Sequence, residues 1–224
     1  MKQRVGDYDH QYYGFVCLFI DGTCIRICRP TSGRTLFYDL QRLFYSGYKK
    51  FHNLNFCVIV APNGLCIDIC GPVPGRHSDK WTQSWSTTES RLRQLFQGLG
   101  FSCYGDAIYN RSDVIRRKKR GLHLTRLDQN QISALNGART SVENFFGEVV
   151  SDWPFVDFTR NKKILQSACG VGNIYKVATL LTNFRICCRG SQMGGGIFGI
   201  SAPELDHYIS GGVSSTTSLP PSKY

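Results

Sequence analysis

The chain has 224 residues, with 27 Lys and Arg against 16 Asp and Glu, a net charge of +11 and a pI near 9.3. Hydrophobic residues make up 42% and mean hydropathy is −0.22, which excludes a collagenous or wholly disordered chain and leaves enough apolar material for one large domain or at most two small ones. No apolar run approaches the ~20 residues of a membrane span, residues 1–10 are too polar for a secretory signal, and ten cysteines fall short of a secreted disulfide scaffold, so free thiols and an anionic partner are expected, nucleic acid before a membrane surface.

Residues 12–20 form an apolar run rich in aromatic and branched side chains and halted at Asp21-Gly22, which predicts a buried strand. Residues 24–28 alternate and read either as the return strand or as its continuation, before Pro30 breaks the pattern. Residues 34–50 are basic and aromatic and predict a surface loop with a short helix. Residues 55–60 and 65–70 read as a hairpin turned by Pro62-Asn63-Gly64, and residues 71–75 as a stiff loop. Ser86-Thr87-Thr88-Glu89 is expected to open a helix that runs through about Gln97, capped by Thr87 or Ser86 and ended by Gly98-Leu99-Gly100. Residues 101–104 make a short strand stopped at Gly105-Asp106, and a basic run follows at 116–120. Over 128–150, Val142, Phe145, Phe146 and Val149 fall at i, i+3, i+4 and i+7, a helix in which Gly137 is a candidate bend. A last helix is expected over 174–187, then a short amphipathic piece and a polar tail. This order of elements indicates an α/β or α+β layered domain with its sheet between helices.

Two predicted strands end in an acid followed by a small residue, Asp21-Gly22 and Asp106-Ala107. Carboxylates at the ends of central strands lie at the sheet edge where α/β folds bind ligands. On adjacent strands they repel unless a cation lies between them, and hard oxygen donors suit Mg²⁺ or Mn²⁺. Glu143, beside the apolar stripe residue Val142, is a third candidate. Plainer readings exist. Asp before Gly is a common turn residue, and Glu143 lies four residues after Arg139, a helix surface pair worth only ~0.3–0.5 kcal/mol. Periodicity and spacing leave both readings open. No Cys-x-x-Cys pair is present, so structural zinc is not expected.

Five words occur in order: Asp21-Gly22-Thr23; Tyr45-Ser46-Gly47-Tyr48-Lys49-Lys50-Phe51-His52; Gly71-Pro72-Val73-Pro74-Gly75-Arg76 leading to Asp79; Tyr104-Gly105-Asp106-Ala107-Ile108-Tyr109; and Arg139-Thr140-Ser141-Val142-Glu143-Asn144-Phe145-Phe146-Gly147. Together they resemble the catalytic domain of PIF/Harbinger-type transposases, a DDE-type endonuclease domain, and the nucleases derived from them. The resemblance implies a ribonuclease-H-like α/β fold, a mixed five-stranded sheet flanked by helices. It maps the acidic triad onto Asp21, Asp106 and Glu143, with Asp79 as a further metal-site acid. The family places His directly before that last acid, whereas here Ser78 follows His77.

The implied activity is phosphodiester cleavage in DNA with two divalent cations, Mg²⁺ or Mn²⁺, at a nuclear location. The implied division is a leader over 1–14, the endonuclease domain over 15–192, an extension over 193–210 and a disordered tail over 211–224. Arg34, Arg42, Lys49 and Lys50, interleaved with Phe44, Tyr45 and Tyr48, and the run Arg116, Arg117, Lys118, Lys119, Arg120 are the candidate phosphate contacts. Family members usually carry an N-terminal helix-turn-helix region, and only about 14 residues precede the first strand here. Base readout is therefore expected from a separate helix-turn-helix or Myb-like protein, alongside the possibility of a homo-oligomer. The competing reading is a catalytically silent descendant that uses the same basic surface as a DNA- or protein-binding module.

Overall fold

The first strand, β1 (Phe15–Arg26), runs straight through Asp21-Gly22. Its second half pairs antiparallel with β3 (Phe51–Val60), from Phe19↔Val60 to Arg26↔Asn53, and this ladder overrides the local turn signal. Residues 24–26 are thus the continuation and not a return strand. The computed structural model describes residues 15–30, 35–117, 125–157, 163–164, 170–191 and 198–211. The expected leader, Arg34, Lys118, Lys119, Arg120 and the tail beyond Gly211 lie outside these.

The predicted loop at 34–50 is largely a helix, α1 (Thr35–Phe44), followed by a two-residue strand, β2 (Tyr45–Ser46), which pairs with the start of β3. The hairpin forms as expected. Gly64 takes φ 90°, and the Asn63 side-chain oxygen accepts the Leu65 N–H at 3.2 Å. Its second strand, β4 (Cys66–Pro74), extends through the segment read as a stiff loop. A bulge makes this possible, with the register shifting opposite Asn55 and Cys57 and Gly71 at φ +129°, a conformation only glycine adopts readily.

α2 (Asp79–Trp85) is a helix the sequence pattern did not announce. α3 (Thr88–Phe96) matches expectation, although Ser86, whose hydroxyl accepts the Thr88 N–H at 3.4 Å, is the residue that satisfies its start. β5 (Phe101–Gly105) lies parallel to β1, and β6 (Ile115–Arg117) parallel to β5, so the first part of the basic run is a strand. The sheet order is β4-β3-β1-β5-β6, with β2 added at β3. That is a six-stranded mixed sheet where five strands were expected, and it is compatible with the ribonuclease-H-like fold; the additional strand is β2.

α4 (Arg126–Asp152) begins at a reciprocal cap. Thr125 Oγ1 accepts the Asp128 N–H at 3.1 Å, and Asp128 accepts the Thr125 N–H at 3.0 Å. Gly137 stays within the helix. A short 3₁₀ turn (Pro154–Asp157), α5 (Val171–Arg189) and α6 (Leu205–Ile209) complete the described chain.

Strand alternation distributes side chains to two cores. Phe19, Phe56, Val58 and Val60 meet Leu135, Val142, Phe145 and Val149 of α4 and Tyr175 and Ile186 of α5. Ile20, Cys57 and Ile59 meet Leu92 and Phe96 of α3, with Val114 and Ile115. Covering on both faces is why the central strands read as unbroken apolar runs. Arg185 of α5 clamps the end of α4 by pairing with Glu148 and, at 2.7 Å, with Asp152. At the outer edge of the sheet, the side chain of Asn183 bonds both backbone groups of Cys66, accepting its N–H at 2.9 Å and donating to its carbonyl at 2.8 Å. No helix among the described residues is long and apolar enough to cross a membrane.

Candidate active site

Register places the first two acids. The parallel pairing of β1 with β5 ends at Ile20↔Gly105. Asp21 and Asp106 are the next residues on the two chains, at the same edge of the sheet. Asp21 is held within β1 by its pairing with Val58 of β3, so it is a strand residue and not a turn residue. Its Oδ1 accepts the Gly22 N–H at 2.9 Å, and its Oδ2 takes a different partner. Asp106 is exposed and does head a turn: its Oδ1 accepts the Ala107 N–H at 2.6 Å, and its carbonyl accepts the Tyr109 N–H at 3.2 Å. Gly105 permits this close approach, since a Cβ there would lie 2.6 Å from Ile20 and 2.8 Å from Tyr109.

Asp79 arrives from a different direction, as the first residue of α2. Ser78 caps this helix by accepting the Trp81 N–H at 3.3 Å, so the residue that separates His77 from Asp79 has a local job. The buried Asn55 of β3 donates to the His77 carbonyl at 2.8 Å and fixes the approach. The Asp79 carboxyl packs onto the Gly22 backbone, where a Cβ would lie 2.5 Å from it. Asp79 therefore sits beside Asp21.

Glu143 comes from the exposed edge of α4, one residue past buried Val142, and is joined to the others through Arg139. Arg139 Nη1 lies 2.6 Å from Asp21 Oδ2 and 3.5 Å from Glu143 Oε1. The plain i,i+4 pair thus exists, and the same guanidinium also reaches Asp21. With side-chain exposures of 16% for Asp21 and 20% for Arg139, against 55% for Glu143, the Asp21 contact is the sheltered one.

The electrostatics follow from this crowding. Burial pushes the Asp21 carboxyl up to about 6, against the pull of Arg139 and the Gly22 N–H, while the charges of Glu143 and Asp79 add to the rise. Asp79 is also raised, chiefly by burial, with Lys49 opposing and Asp106 adding. One arginine does not neutralise four carboxylates, so the donor set fits a divalent cation, being all hard oxygen and short of positive charge. No closed group of three or more His, Cys, Asp or Glu at metal-binding spacing forms among the described residues. Arg139 holds the Asp21 oxygen that a cation would take.

The candidate phosphate contacts divide. Arg42 and Lys50 are exposed, and Lys49 lies near Asp79. Arg116 and Arg117 each donate from Nη1 to a carbonyl of their own connection, Ser112 and, at 3.4 Å, Tyr109, and so brace the β5–β6 crossing. Sequence reasoning saw Arg139 only as half of a surface pair. It also passed over Asn53 and Asn55, buried amides in an apolar strand, whose polarity was the available signal that β3 supports a site.

The profile of the DDE superfamily endonuclease family matches residues 20–183, a span that opens one residue before Asp21 and takes in all four acids and Arg139. No curated protein and no solved structure matches the chain.

Proposed function

The chain belongs to the DDE superfamily endonuclease family, and we propose that it is a divalent-metal-dependent DNA nuclease of the PIF/Harbinger transposase type, with residues 15–192 as its catalytic unit. What supports this reading is a set of pairwise links: Asp21 and Asp106 follow the last β1–β5 pair, Asp79 packs over Gly22 beside Asp21, and Arg139 links Asp21 to Glu143. Asp21 is the central member, flanked by Asp79 over Gly22 and by Arg139 on α4. Asp21, Asp79, Asp106 and Glu143 would hold Mg²⁺ or Mn²⁺, two ions in the family mechanism. Bound there, the cations supply Lewis-acid activation of a water and stabilisation of the departing oxygen.

The chain's own residues do the rest. The Gly22 N–H fixes one Asp21 oxygen so that the other points to the shared pocket. Arg139 keeps that oxygen paired while no cation is present. Lys49, next to Asp79, and the exposed Arg42 and Lys50 offer positive charge to the phosphates of an incoming strand. Base readout falls to a separate helix-turn-helix or Myb-like protein or to a second copy, and the site of action is the nucleus.

A second reading is favoured by the Arg139–Asp21 contact, which satisfies an acid without any metal. In that reading the domain is catalytically silent and binds DNA through its basic face. Plasmid nicking with Mg²⁺ or Mn²⁺ separates the two. The nuclease reading expects conversion of supercoiled plasmid by the wild type and at least a hundred-fold loss in Asp106→Asn. Absence of nicking by both proteins, with DNA still bound, selects the silent module.

A further inference from the structure

α2 carries a column of rings that the acids do not use. The His77 and Trp81 rings stack with centroids 3.7 Å apart and planes 18° apart, and Trp85 continues the column at 5.8 Å and 10°. The two indoles are four residues apart, on one face of the helix. Trp81 is 40% and Trp85 58% exposed, while Thr82 and Gln83, between them in sequence, are buried. The chain has three tryptophans, and two stand in water side by side.

The column is held firmly. Gln83 bonds Asn110 in both directions, donating to its carbonyl at 3.1 Å and accepting its N–H at 2.7 Å. Asn55 anchors the backbone of His77, and Ser78 caps the helix. The helix itself starts at the acids: Asp79 is the first residue of α2 and packs on Gly22 beside Asp21, while Trp81 and Trp85, two and six residues on, lie about 200° and 240° round the helix from it. At 1.5 Å per residue the Trp85 backbone lies about 9 Å along the helix axis from the Asp79 backbone. Exposed Arg76 and Lys80 adjoin His77 and Trp81 in sequence, and Lys49 lies near Asp79.

We propose that His77, Trp81 and Trp85 form a stacking platform for an unpaired base of the DNA strand engaged at the acids. A nucleobase is planar, every base has a π-face, and stacking on indole tolerates any sequence. These cations match the phosphates that such a base brings with it. This inference rests on the DNA-binding reading above and deepens it, since it names a strand with a base out of the helix as the preferred substrate. The opposite docking partner, an apolar protein surface seated on Trp85, leaves DNA binding indifferent to the platform.

The test uses the full chain in EDTA, which blocks cleavage, and three duplexes: fully paired, with one bulged 2-aminopurine, and with an abasic site in place of the bulge. The wild type is expected to bind the bulged duplex about ten-fold more tightly than the abasic one and to quench the 2-aminopurine emission. Trp85→Ala should erase both effects while leaving affinity for the paired duplex and its salt dependence unchanged, and Trp85→Phe should restore part of each. Trp81→Ala serves as the second variant, with circular dichroism reporting its fold. Equal wild-type affinity for bulged and abasic duplexes, or DNA binding unmoved in Trp85→Ala, overturns the platform and leaves the DNA reading standing. No binding to any duplex at low salt overturns both.

Discussion

Arg139 is a positive charge placed among acids, and its partner choice depends on what else is there. Without metal it satisfies Asp21 at 2.6 Å in a sheltered position. A hydrogen bond between charged groups of this kind contributes about 1.5–3 kcal/mol. Arg139→Gln should therefore lower the metal-free melting temperature, and saturating Mg²⁺ should recover most of the loss, because the cations take over the same oxygens. Thermal denaturation with and without Mg²⁺ checks this; an equal deficit at every Mg²⁺ concentration would assign Arg139 to the fold alone. Asp21 itself makes a pH prediction. Its folded pKa of about 6 exceeds the ordinary carboxylate value of about 4, so the folded state holds the proton more tightly. The stability this contributes is complete below about pH 4 and is lost as pH rises through about 6. Relative to Asp21→Asn, the metal-free wild type should weaken across that window by about 2–3 kcal/mol at most. Urea midpoints of the two proteins at pH 4, 5, 6 and 7 measure it, and parallel curves would contradict it.

Elements bring these residues together, and some were easier to read than others. The central strands were legible because burial on both faces leaves apolar runs, and α4 because its stripe repeats over two turns. α2 was not, since seven residues of mixed polarity give no period and its start depends on a single capping serine. β6 was hidden inside a basic run; its strand form comes from pairing with β5 and from arginines bonded to local carbonyls. Asp21-Gly22 misled as a stop, because an eight-pair ladder with β3 outweighs one turn-prone dipeptide. Of the site, the acids were legible only through the local words around them. The bridging role of Arg139 required the crossing of α4 over β1, which no local pattern contains. The packing of α2 on β1 also sets a prediction. Gly22→Ala would place a methyl group 2.5 Å from the Asp79 carboxyl, whose short side chain must swing away. The protein should fold, with Mg²⁺ affinity reduced about ten-fold or more, as read by Mg²⁺-dependent thermal shift or titration calorimetry. Unchanged affinity would remove Asp79 from the metal-holding set.

Across the whole molecule, the acids depend on both layers. Asp21 belongs to the sheet, Asp106 to the turn that follows β5, Asp79 to the helix over β3, and Glu143 to α4, which is fastened to α5 by Arg185. A site assembled this way exists only when the layers are packed. The same layering leaves the outer side of β4 as a border of the sheet. There Asn183 meets both peptide groups of Cys66, and a side-chain amide acts as a one-residue surrogate strand. An uncapped border of this kind is a template on which another chain can grow. Asn183→Ala would leave two buried peptide groups unmatched, at about 1–3 kcal/mol each, and open that template. Light scattering should then show stronger concentration-dependent self-association in the variant than in the parent, with the amide of Asn183 acting as a stopper at the first residue of that border.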